Sequence, residues 1–161
     1  MKKIIVIGCP GSGKSTFSKS LHKITKIPLY HLDMLFWNED KTTVEKYVFL
    51  DRLLKIIQND EWIIDGNYAS TMEYRLQACD TVFFLDLPTD MCLNGANARI
   101  GKKREDMPWI EQELDNEFKQ YIIDFSKNEI PKIYSLLKKY NDKNVYIFKS
   151  HVDMQDFLNK L

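Results

Sequence analysis

Residues 8–16 read Gly8-Cys9-Pro10-Gly11-Ser12-Gly13-Lys14-Ser15-Thr16, directly after the apolar run Ile4-Ile5-Val6-Ile7. A helical pattern of Phe17, Leu21 and Ile24 follows. This is G-x-x-x-x-G-K-[ST] between a strand and a helix, the setting a phosphate-binding loop requires. Glycine lets successive backbone N–H groups curl around a phosphate, and the helix behind the loop adds its own free N–H groups and dipole. The pattern assigns Gly8, Pro10, Gly11, Ser12, Gly13, Lys14, Ser15 and Thr16 to nucleotide binding. Lys14 is expected to reach the β- and γ-phosphates of ATP, and the Ser15 hydroxyl to ligate Mg²⁺.

Working outward, apolar runs alternate with amphipathic ones. Strands are expected at Lys3–Ile7, at Pro28–Leu32, at Glu61–Asp65, at Asp80–Asp86 and at Asn144–Phe148. A helix from the loop is expected to run to about Lys26, since Pro28 bars continuation. Thr42 with Glu45, and Ser70 with Glu73, have the spacing of capping boxes. Pro108 suits the first turn of a helix carrying Ile110, Leu114, Phe118, Tyr121, Ile122 and Phe125, and Pro131 breaks or restarts it. Ser150 with Asp153 is placed to cap a last helix. Strands alternating with helices mean an α/β fold on a parallel sheet.

At 161 residues the chain has the length of one domain, 1–161, with no internal repeat or linker. Hydrophobic residues at 44% and charged residues at 29% fit a soluble globular class. A formal net charge of +0 disfavours a chain whose main task is coating nucleic acid. The three cysteines, Cys9, Cys79 and Cys92, have no metal or disulfide spacing, and no apolar run has transmembrane length. A cytoplasmic location is expected, with neither membrane nor nucleic acid as partner.

In an open parallel sheet, ligands bind beyond the carboxyl ends of the strands. Asp65 ends a Trp-Ile-Ile strand and is the candidate acid for Mg²⁺, although an acid there can also close the Gly66 turn. Asp33 lies just past the second strand, where it can accept an acceptor's hydroxyl proton or stand as a solvated loop carboxylate. Trp37 is near it, and Asn67 and Arg75 follow the third strand; all three are candidates for contacting the acceptor. Arg75 can equally pair with Glu73 or Asp80. Asp86 before Leu87-Pro88 suits a turn as well as a site. Arg99 and Arg104 belong to the one concentrated basic segment, Arg99-Ile100-Gly101-Lys102-Lys103-Arg104. An arginine aimed at a transferring phosphoryl group accelerates transfer by roughly 10³–10⁵. The segment from about 95 to 108 therefore reads either as a short lid with catalytic arginines or as a solvated helix end. His22 and His151 read as helix-surface residues, and His31 as structural or functional beside Asp33.

The P-loop together with His31-Leu32-Asp33, Trp37, Asp65-Gly66-Asn67-Tyr68, Arg75-Leu76, Asp80-Thr81, Leu85-Asp86-Leu87-Pro88 and Arg104-Glu105-Asp106-Met107-Pro108 resembles the FlaR-related topology modulation proteins. These are small P-loop proteins similar to adenylate and shikimate kinases. The resemblance implies a three-layer P-loop NTPase fold, with a five-stranded parallel sheet ordered 2-3-1-4-5, flanking helices and a lid. It also implies ATP and Mg²⁺ as cofactors and a nucleotide plus a small acceptor as partners. Adenylate kinases follow the Asp-Gly of the acceptor turn with Pro-Arg, where this chain has Asn67-Tyr68. Two functions follow as expectations. One is a kinase moving the γ-phosphoryl of ATP·Mg to a nucleoside, nucleotide or hydroxyl metabolite, with Lys14, Asp33, Arg99 and Arg104 as its catalytic groups. The other, suggested by the family's name, is a nucleotide-dependent regulatory or DNA-topology-associated protein without that activity.

Overall fold

The computed structural model describes residues 1–161. Its centre is a sheet of five strands: β1 (Lys3–Gly8), β2 (Leu29–His31), β3 (Trp62–Asp65), β4 (Thr81–Leu85) and β5 (Asn144–Phe148). Their order is β2-β3-β1-β4-β5, and every neighbouring pair is parallel. The order is that of the three-layer P-loop kinase fold.

Eight helices flank the sheet: α1 (Lys14–Thr25), α2 (Leu32–Phe36), α3 (Lys46–Ile57), α4 (Ala69–Ala78), α5 (Thr89–Ala98), α6 (Asn116–Asn128), α7 (Ile130–Lys139) and α8 (His151–Leu158). Helices on both faces explain why the central strands are continuous apolar runs. Ile4 to Ile7, Trp62 to Ile64 and Val82 to Leu85 are all buried. In the edge strand β5 Tyr146 and Ile147 are exposed on opposite faces, and Tyr146 and Phe148, on the same face, both stack on Phe83. From β1 the chain crosses to β2 and fills β3 on the way back, then passes to β4 on the other side of β1. The order reverses at β1, so a crevice opens where the P-loop leaves the sheet.

Three local expectations need correction. The helix expected from Pro108 begins only at Asn116, with Asp115 Oδ1 accepting from Phe118 N at 2.8 Å. Residues 99–115 form no regular element beyond turns and bends. The chain there folds back on itself instead, Gly101 N donating to Glu111 O at 2.7 Å. The Thr42–Glu45 box does not form. Thr42 Oγ1 bonds Asp40 Oδ1 at 2.5 Å, Thr43 makes an antiparallel bridge with Trp37, and α3 starts at Lys46. Nor does the Ser70–Glu73 box form, because α4 already starts at Ala69 behind Tyr68, which takes a left-handed φ of 38°. The cap at Ser150 does form, its Oγ accepting from Asp153 N at 3.1 Å.

One glycine within a helix has a definite cause. A Cβ on Gly95 of α5 would stand 2.0 Å from Gly11 O, and a Cβ on Gly11 would stand 2.0 Å from Cys92 O. The P-loop lies directly on the α5 backbone, with no room for a side chain between them. Alanine in a helix interior ordinarily gains about 1 kcal/mol over glycine. At this position the clash reverses the sign. Gly95→Ala is expected to cost about 1–3 kcal/mol in urea unfolding. A midpoint raised with an unchanged slope would show that the two backbones do not meet.

Candidate functional site

β1 ends at Gly8, and the P-loop turns through Gly11 (φ 82°) and Gly13 (φ 95°) into α1. Gly13 is the left-handed residue that precedes the helix, so the first amides of α1 face the loop. Lys14 Nζ lies folded on the loop's own carbonyls, 2.9 Å from Gly8 O and 3.0 Å from Cys9 O. Burial holds its pKa below the usual lysine range, against the attraction of Asp65 and Asp33. Ser12 Oγ is buried and has no hydrogen-bond partner. His151 of α8 leans on the loop from above, its Nε2 3.2 Å from Ser12 O. It remains an exposed helix-surface histidine, as the sequence suggests, and also contacts the loop.

The P-loop forms the floor of a cleft of about 1440 Å³. Lys14, Ser15, Asp33, Trp37, Asp65, Asn67, Arg99 and Arg104, widely spaced in the chain, all border it. Asp33 is in the first turn of α2, just past β2. Tyr68 Oη donates to its Oδ1 at 2.5 Å. Burial raises the Asp33 pKa, and the Tyr68 hydrogen bond and the Lys14 charge only partly oppose that. A carboxylate so placed is a stronger proton acceptor than a solvated one.

Asp65, at the end of β3, is buried and receives His31 Nδ1, at 2.8 Å to Oδ2 and 2.9 Å to Oδ1. Burial of His31 disfavours its charge, but the Asp65 carboxylate outweighs that and the histidine's pKa is raised. Of the histidine's open alternatives, the structure shows a pairing with the β3 acid. Asp86 lies outside the cleft, held by Tyr134 Oη at 2.7 Å and by Lys149.

One expected acceptor contact is corrected. Arg75 is fully buried and does not border the cleft. Its guanidinium donates to Gly66 O at 2.8 Å, to Asn67 O, and to Tyr68 O at 3.2 Å. It holds the turn after β3 from beneath, and pairs with neither Glu73 nor Asp80. Asn67 borders the cleft, yet its amide is committed to Gly8: Oδ1 accepts from Gly8 N at 3.1 Å, and Nδ2 donates to Gly8 O at 2.8 Å. It ties the β3 turn to the start of the P-loop. Arg75 thus supports the turn from within the core, while Asn67 ties it to the P-loop at the border of the cleft.

Trp37 meets Trp109 edge to face, with ring centroids 5.8 Å apart, and Lys41 Nζ stands 5.2 Å over the Trp109 ring. Trp109 belongs to the irregular segment 99–115, which crosses the mouth of the cleft. Arg99 Nε lies 2.8 Å from Glu111 Oε2, and Arg104 Nη2 3.3 Å from the same oxygen. Arg104 Nη1 is also 3.5 Å from Asp106 Oδ2. Both arginines thus face the cleft, as a lid would require, and acids of the same segment hold them.

Glu111, Asp106, Trp109 and Tyr68 were not identified as functional from the sequence. Glu111 is hidden because Pro108 and the apolar positions after it spell a helix, while Asp106 precedes that proline. Acids two and seven residues past the basic cluster are the available signal.

No family model matches this chain, and no curated protein matches it. Solved structures do. The chain is similar to the shikimate kinase of Bacteroides thetaiotaomicron at 18% identity, with a TM-score of 0.61, covering 98% of this chain and 94% of that one. It is similar to the shikimate kinase of Aquifex aeolicus at 18% identity, with a TM-score of 0.56, covering 98% and 92%. These likenesses establish the P-loop kinase fold. No helix of the chain is long and apolar enough to cross a membrane.

Proposed function

We propose that this protein is an ATP-dependent phosphotransferase, acting on a small acceptor held between Asp33 and Trp37. One observation carries the reading: a P-loop lysine, a half-buried carboxylate and two arginines border a single cleft, although they are separated by up to 90 residues. Family membership among the topology modulation proteins rests on the motifs quoted above, and a cytoplasmic location on composition. Nothing in the cleft favours the regulatory or DNA-associated alternative.

The loop's donor set fits a triphosphate. Ser12 Oγ is an orphaned buried hydroxyl, and Lys14 Nζ is satisfied only by loop carbonyls it can exchange for phosphate oxygens. Ser15 and Asp65 would hold Mg²⁺, which would supply neutralisation of the triphosphate's charge. The acceptor's hydroxyl oxygen bonds to the γ-phosphorus as the bond to the bridging oxygen breaks and ADP leaves. Its proton passes to Asp33. Arg99 and Arg104 balance the charge spread over the equatorial oxygens. The rings of Trp37 and Trp109 exclude water from the acceptor side.

The test is ADP release across a panel of nucleosides, nucleotides and hydroxyl metabolites. One small acceptor is expected to stimulate turnover. For that acceptor, the acid limb of kcat/KM is expected above the ordinary carboxylate range, because the Asp33 pKa is raised and only the deprotonated form accepts the proton. Asp33→Asn is expected to lower the rate by about 10²–10⁴-fold and to remove that limb. Stimulation by DNA alone, steeply weakened by salt, would overturn the kinase reading.

A further inference from the structure

The P-loop serine expected to face Mg²⁺ does not stand alone. Its hydroxyl donates to Asp106 Oδ2 at 2.6 Å, across 91 positions of sequence. Asp106 belongs to the irregular segment over the cleft and is only 7% exposed. Asp65, the acid that the strand pattern selects, has both carboxylate oxygens within 2.9 Å of His31 Nδ1. It has no hydrogen bond to Ser15. The carboxylate beside the metal-facing hydroxyl is therefore the one from the lid.

The distance suits a shared ion. Mg²⁺ takes oxygen ligands at about 2.1 Å in octahedral geometry, so adjacent ligands stand about 3 Å apart. Such sites use one or two carboxylates, with phosphate oxygens and water completing the shell. Ser15 Oγ and Asp106 Oδ2 already lie near that separation. In the free protein the proton of the serine hydroxyl bridges them, and Arg104 Nη1 lies 3.5 Å from the same Asp106 oxygen. Both partners are the groups a metal–triphosphate would recruit: the serine to the ion, the arginine to the phosphates.

Resting on the phosphotransferase reading, we propose that Asp106 is a lid-borne Mg²⁺-site residue that acts with Ser15, so that the lid seats fully only over metal-bound nucleotide. A merely structural Asp106 and a metal-site Asp106 differ in one measurable respect. Loss of a structural brace weakens ATP with and without metal alike. Loss of a metal-site acid weakens only the metal-dependent part, since a carboxylate near metal-free ATP is repulsive.

The experiment compares wild type, Asp106→Asn and Glu105→Gln. Glu105 is an exposed neighbour paired with Lys19 at 2.9 Å and serves as the control. ATP affinity is measured by calorimetry in EDTA and in Mn²⁺. The Mn²⁺ bound in the ternary complex is followed by its paramagnetic resonance spectrum. Thermal unfolding without ligand checks that each variant is folded. The expected result for Asp106→Asn is ATP affinity in EDTA equal to or above wild type, with at least tenfold less gain from Mn²⁺ and an altered Mn²⁺ spectrum. Glu105→Gln is expected to follow wild type. An undiminished Mn²⁺ gain in Asp106→Asn, or equal losses with and without metal, overturns the assignment while leaving the phosphotransferase reading intact. Absence of ATP binding in wild type overturns both.

Discussion

Lys14→Ala is expected to lower phosphoryl transfer by about 10²–10³-fold, the usual cost of losing one preorganised charge at a transition state. ATP affinity is expected to fall with it. The buried ammonium lies against Gly8 O and Cys9 O, and burial already disfavours its charge. A triphosphate relieves that situation, because its oxygens are stronger partners for an ammonium than two carbonyls are. The fold itself is expected to survive. Gly8 O keeps its bond from Asn67 Nδ2 at 2.8 Å, and the α1–β1 contact is made by other side chains. Calorimetric titration with ATP·Mg and an ADP-release assay check both parts. An unchanged dissociation constant together with unchanged turnover would remove the loop from the donor site.

Arg75→Met is expected to produce the largest loss of stability, about 3 kcal/mol or more in urea unfolding. Methionine roughly fills the volume but leaves the carbonyls of Gly66, Asn67 and Tyr68 without their donor. Each buried polar group left unpaired costs about 1–3 kcal/mol. The damage extends to the site by a short route. The same turn carries Asn67, which clamps Gly8, and Tyr68, which donates to Asp33. A residue that bound an acceptor's anion would show the opposite profile: unchanged unfolding and a raised KM for acceptor. That profile would restore the surface role which burial contradicts.

The contrast between Arg75 and Arg104 shows where sequence reading reaches its limit. Both are arginines near the expected acceptor or lid, and nothing in their neighbours separates a buried brace from a cleft-facing charge. Arg75 is on α4, on the side turned toward the β3 turn, and three carbonyls converge there because Gly66 and Tyr68 take positive φ. Sequence spacing does not report where carbonyls converge. The bonds from Asn67 to Gly8 are illegible for the same reason: an amide at a strand end suits a ligand and a neighbouring loop equally well. The segment 99–115 failed differently. Its apolar spacing after Pro108 fits a helix, but ion pairs from Glu111 and Asp106 to Arg99 and Arg104, with the Asp115 cap, hold it irregular up to α6. Charge pairing within the segment stands against its apolar periodicity.

The five strands, the parallel sheet and the P-loop between β1 and α1 are legible in the sequence. Those features are local: a run of β-branched residues buried on both faces, and a loop whose glycines, lysine and serine act through positions fixed by one strand and one helix. The sequence also singles out Asp33, Arg99 and Arg104, all of which border the cleft. Tertiary structure alone decided which polar side chains face the cleft and which support it. Tyr68 meets Asp33 across 35 residues, His31 meets Asp65 across 34, and Asp106 meets Ser15 across 91. Such partners are chosen by how strand ends and a folded-back segment converge over the P-loop. That convergence comes from packing the whole chain, and no window of sequence contains it.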